Sequence, residues 1–105
     1  MMHASYLCGT VLSKNPLELK PSKLKAEEVV QAIRLAIIAE LDAINLYVQV
    51  AAAVDDEKVK RVFEDVAKEE KTHVGEFLAL LKILDKEQAE ELRKGAEEVS
   101  ELSGT

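Results

Sequence analysis

The sequence predicts an all-α chain: an antiparallel helix hairpin plus a short C-terminal helix, closing into a four-helix bundle by dimerisation. Three observations carry this. Two long stretches repeat apolar residues at helical spacing. An acidic pair, Asp55-Asp56, separates them. The first stretch is apolar over more surface than one partner helix can cover, and small chains bury little surface alone, so a second copy is expected.

The chain has 105 residues, enough for one domain. Residues 1–22 read as an arm, with Gly9, Pro16 and Pro21 among small apolar clusters such as Tyr6-Leu7-Cys8. Residues 23–105 read as the helical domain. Helix 1 is expected from about Lys25 to Val54, with Glu27 and Glu28 favouring its N-terminal dipole. Asp55-Asp56 suit a turn and an N-cap. Helix 2 is expected over Glu57 to Leu84. Asp85 follows as an N-cap with Gln88 at the capping-box position. Helix 3, about Lys86 to Leu102, is amphipathic through Ala89, Leu92, Ala96, Val99 and Leu102, with its glutamates as a solvated face. Gly104 ends the pattern.

Composition narrows the function classes. Net charge is −6 and the isoelectric point about 5.0. That argues against nucleic acid and anionic membrane surfaces and mildly favours cations. Cys8 is alone, so a reducing cytoplasm is the simplest setting. No signal peptide is evident. Few Asn and Gln beside 32% charged residues resemble proteins of hot environments. Leu35–Val54 approaches membrane-spanning length. Glu40 and Asp42 near its middle make a soluble core helix the better reading.

Three polar residues interrupt the apolar seams. In helix 1 the seam runs Val30, Ile33, Ile37, Glu40, Ile44, Tyr47, Ala51, Val54. In helix 2 it runs Val59, Phe63, Val66, Glu70, His73, Phe77, Leu80, Leu84. A buried carboxylate needs a proton, a partner or a metal. Glu40 lies fifteen residues before Asp55 and Glu70 fifteen after it. At about 1.5 Å per residue both sit roughly 22 Å from the turn. An antiparallel hairpin therefore sets them side by side. His73 projects from the same face one turn on. A two-fold dimer would double the set to four carboxylates and two imidazoles. Oxygen and nitrogen donors together favour iron or manganese over calcium or magnesium, with zinc a competitor.

Blander readings stand beside these. Glu-x-x-His also occurs on solvated helix faces. Glu40 could be a buried acid held by Tyr47. Tyr47 reads first as a packing residue with a hydrogen bond near the site. Asp42 alone reads as surface charge and Glu69 as solvated. His3 reads as exposed, and Cys8 as a small apolar residue.

At Ala39-Glu40-Leu41-Asp42-Ala43-Ile44-Asn45-Leu46-Tyr47 and Glu69-Glu70-Lys71-Thr72-His73 the sequence resembles the encapsulated ferritin family. It looks closest to the ferritin-like segment fused ahead of archaeal encapsulin shells. The resemblance covers roughly residues 25–105. It implies a ferritin-like fold and a ferroxidase whose di-iron centre is shared across a dimer. Glu40, Glu70 and His73 would be the iron ligands, with Glu70 bridging. Asp42 would gather metal at the mouth of the site, and Tyr47 matches an aromatic position beside it. The resemblance also implies ring-shaped decamers built from dimers, delivering oxidised iron for storage inside an encapsulin compartment in the cytoplasm. The chain departs from the pattern at Leu46, with no Trp, and at Val48, where close relatives resemble a Glu. The tail Ser100–Thr105 does not resemble a shell-targeting peptide. The expectation is an excised domain of a shell fusion or targeting through another segment. Two other functions compete: a metal that only staples a helical dimer, and a rubrerythrin-like peroxidase, which Cys8 alone could not equip with a four-cysteine electron-transfer site.

Overall fold

The computed structural model describes residues 22–104. The expected arm, with His3 and Cys8, lies outside the described residues except for Ser22. The described residues form three α-helices: α1 (Ala26–Ala53), α2 (Glu57–Leu84) and α3 (Lys86–Ser103). α1 and α2 pack against each other as a hairpin, and α3 packs lightly on α2.

Each boundary has a chemical cause. At the start of α1, the Lys25 backbone N–H donates to Glu28 Oε1 at 2.9 Å. Glu28 therefore serves the cap itself as well as the helix dipole. Ala53 ends α1 because Val54 is extended. Asp56 caps α2, its Oδ1 accepting from the N–H groups of Lys58 (2.8 Å) and Val59 (3.1 Å). Asp85 is the single residue between α2 and α3. Its N–H closes α2 on the Leu81 carbonyl, and its Oδ1 opens α3 by accepting from Gln88 N–H at 2.9 Å. Gly104 terminates α3 at φ 77°, the left-handed conformation that glycine adopts without steric cost.

The Gln88 side chain departs from the expected capping box. Its Oε1 accepts from Arg34 Nε at 3.1 Å, while Arg34 Nη2 donates to Asp85 Oδ2 at 2.6 Å. One arginine on α1 thus grips both the α2–α3 junction and the first turn of α3.

The core is sparse. Among the described residues only Ile33, Ala51, Ala67 and Leu81 are buried. Leu41, Leu46 and Val48 on α1 each remain 49% exposed. α1 is long and apolar enough to cross a membrane by length and composition. The expectation that it is buried on several sides is not met within one copy. One facing helix covers one stripe of it, and the rest of its apolar surface is open.

Candidate metal centre

The hairpin brings the three seam residues together. The antiparallel register sets Glu40 on α1 opposite Glu70 and His73 on α2. One donor atom from each lies within 4.8 Å of the others. His73 Nδ1 is 2.7 Å from Glu70 Oε1 and 3.6 Å from Glu40 Oε2. The carboxylate side chains are mostly covered, 20% exposed for Glu40 and 18% for Glu70, whereas His73 is 47% exposed. The cluster is therefore a half-open face of the hairpin, with the imidazole on its outer side.

Its protons are shared unequally. The hydrogen bond between the two carboxyl groups raises the pKa of Glu40, and desolvation adds to that rise. The same hydrogen bond lowers that of Glu70, with the bond to His73 acting in the same direction. In this arrangement Glu40 holds a proton more readily than an ordinary carboxyl group, and Glu70 less readily. His73 is raised, first by its hydrogen bond to Glu70 and then by the negative charge around it, Glu76 included. Protons therefore compete with a cation at Glu40 and His73 more strongly than they would at free side chains.

The donor set fits a metal ion. Two carboxylates and one imidazole suit iron, manganese or zinc. Three donors leave coordination positions open, which a second copy of the same face could fill.

The other expected residues stand apart from the cluster. Asp42 is half-buried two residues beyond Glu40. It is not a member of the trio in one copy. The Tyr47 ring packs on Phe63, with centroids 5.7 Å apart and planes at 58°. Sequence reading passed over Glu76. Its place three residues after His73, one turn along the same face, was the available signal.

Comparison with known proteins decides the family. The rubrerythrin family model matches residues 17–103. The chain belongs to the rubrerythrin family. Within this ferritin-like family it is 56% identical, over 95 residues, to the ferritin-like–encapsulin shell fusion protein of Pyrococcus furiosus. That match spans 90% of this chain and 28% of the fusion protein. Encapsulin nanocompartment cargo protein EncC of Myxococcus xanthus is 42% identical over 84 residues, 79% of this chain and 65% of EncC. The chain therefore spans less than two thirds of either relative. The crystal structure of the encapsulated ferritin domain from Pyrococcus furiosus superposes with a TM-score of 0.80 at 55% identity. It covers 90% of this chain and 97% of that one. The expected ferritin-like, all-α fold is thereby established.

Proposed function

We propose that this chain is a ferroxidase that oxidises Fe(II) with O₂ at a site shared between two copies. The convergence of Glu40, Glu70 and His73 on one half-open face is the observation that carries the reading. Paired across a two-fold axis, such faces give four carboxylates and two imidazoles, a ligand set for two metal ions. Four carboxylate charges would balance two Fe(II) ions. Glu70, central in the hydrogen-bonded trio, is the bridging carboxylate in this reading. Glu40 binds substrate as the carboxylate, and His73 supplies a neutral nitrogen. Asp42 would gather Fe(II) near the mouth, and Tyr47 would hold the helices together beside the site. Manganese or zinc could occupy the same donors.

The relatives support a setting. One is a fusion with an encapsulin shell, and another is named an encapsulin nanocompartment cargo protein. In this reading the chain forms homodimers, assembled into a ring of decamer size. It works in the cytoplasm inside an encapsulin compartment, where the ferric product is stored as mineral.

The test is aerobic addition of Fe(II) to metal-stripped protein, following ferric absorbance, with Glu70→Ala as the control. Rapid oxidation over many turnovers is expected in the parent and is lost in the variant. A rate no greater than autoxidation in buffer, with helicity intact, would exclude the ferroxidase. The rubrerythrin match favours one variation, peroxide as oxidant, so an anaerobic arm with H₂O₂ belongs in the same experiment.

A further inference from the structure

One ring nitrogen of His73 is left over by the cluster. Nδ1 faces the carboxylates, 2.7 Å from Glu70 Oε1 and 3.6 Å from Glu40 Oε2. Nε2, across the same ring, has no hydrogen-bond partner among the described residues. A neutral imidazole carries one proton, on one nitrogen or the other. A cation held by Nδ1 therefore requires that proton on Nε2. An acceptor for Nε2–H would fix this tautomer, hold the plane of the ring and make Nδ1 a stronger donor to the metal.

Helix geometry narrows the choice of acceptor. The neighbours of His73 on the surface of α2 lie three or four positions away: Glu69, Glu70, Glu76 and Phe77. Glu70 is engaged with Nδ1, and Phe77 has no acceptor atom. Glu69 and Glu76 remain, both exposed. Helical side chains lean toward the N-terminus of their own helix. From position 76 that direction leads over His73, and from position 69 it leads away. Glu76 has no hydrogen bond or ion pair of its own among the described residues, so its carboxylate is available. Its charge is already felt at the imidazole, where it adds to the rise in the His73 pKa.

We propose that Glu76 is a positioning residue of the metal centre: its carboxylate accepts the Nε2–H of His73 and keeps the Nδ1 lone pair turned toward Glu40 and Glu70. This role rests on the metal centre of the proposed function and extends it by one residue outside the ligand trio. A cation on Nδ1 draws electron density from the ring and makes Nε2–H the better donor, so the bond strengthens as the site fills.

The experiment is Zn(II) binding to the full chain, read by competition with a chelating dye of known affinity. Glu76→Ala is expected to weaken binding about 10–100-fold. Glu76→Gln removes the same charge but keeps an acceptor oxygen, so it is expected to weaken binding less. Glu69→Ala removes a charge on the other side of His73 and is expected to bind as the parent does. Circular dichroism confirms helix content in each variant. Nitrogen-15 NMR of the Zn(II)-loaded chain gives a second readout. The His73 Nε2–H is expected to exchange slowly with water in the parent and fast in Glu76→Ala. His3 is the other histidine of the chain, and a His3→Gln variant assigns the signals. Equal losses in Glu76→Ala and Glu76→Gln would reduce Glu76 to a distant charge and overturn its role. Parent-like binding in Glu76→Ala, or Zn(II) bound to Nε2, would overturn it as well. Glu70→Ala, expected to abolish binding, tells this apart from failure of the centre. Binding that survives in Glu70→Ala would overturn the centre, and the role of Glu76 with it.

Discussion

Glu40 is a carboxyl group whose pKa is raised by a second carboxyl group beside it, and that shapes how the site meets a cation. Glu40 and His73 both have raised pKa values, so protons compete with metal at two of the three donors. Metal binding must then strengthen as pH rises through the raised Glu40 and His73 values, and it must release protons. Calorimetric titration with Zn(II) in buffers of different ionisation enthalpy checks this. Net proton release is expected, with tighter binding at about pH 7.5 than at about pH 5.5, on either side of the ordinary imidazole value. Proton-neutral, pH-independent binding would place the metal elsewhere. The carboxylates around His73 can be ranked in the same way. Glu70→Gln should bring the His73 pKa down strongly, because it removes the largest cause of the rise. Glu76→Gln should lower it slightly, and imidazole NMR titration of the metal-free protein gives both. The trio was legible in the sequence because each member broke a periodic apolar stripe and equal offsets from the turn set them level. Glu76 was not, because an exposed acid on a helix breaks no pattern.

At the scale of the helices, the boundaries were written in short-range chemistry. Asp56 and Asp85 each precede a helix and accept from its first N–H groups, and one residue type with one local bond predicts that much. The Arg34 clasp needed the fold: its partners are 51 and 54 positions away, and no periodicity links them. The expected capping box failed for that reason, since Gln88 spends its side-chain oxygen on the arginine. The Asp85 side chain does two tasks, capping α3 and pairing with Arg34, so removing it should cost more than removing a simple cap. Asp56→Ala should lose about 1 kcal/mol, the usual value of a cap. Asp85→Ala should lose about 1–2 kcal/mol, combining the cap with a partly exposed ion pair. Chemical denaturation of both variants gives the order. A cycle with Arg34→Ala isolates the pair, for which about 0.5–1 kcal/mol of coupling is expected. Zero coupling would mean that solvent serves Arg34 as well as Asp85 does.

For the whole molecule, the decisive quantity is apolar surface left open. The seams of α1 and α2 were legible as apolar periodicity, but periodicity does not say how much of a stripe one partner covers. The fold answers that: four small or medium side chains are buried, while Leu41, Leu46 and Val48 stay half in water. Such a hairpin lacks the core of a stable monomer, and in the proposed shared site one copy supplies half the ligands. Pairing the same faces would meet both deficits, so under the proposed function folding, pairing and metal binding should be one linked equilibrium. The melting temperature should therefore rise with protein concentration, and rise further with Zn(II), where a monomer would show no concentration dependence. Leu41→Glu tests the surface itself. On an isolated hairpin this exposed substitution should change stability by no more than about 0.5 kcal/mol. On a paired hairpin it would bury a charge against an apolar face, splitting the dimer and lowering metal affinity together. Differential scanning calorimetry across a concentration series, with sedimentation of the variant, separates the two cases. A concentration-independent melt, with Leu41→Glu binding metal as the parent does, would show that one copy holds the ion unaided and leave the shared site without support.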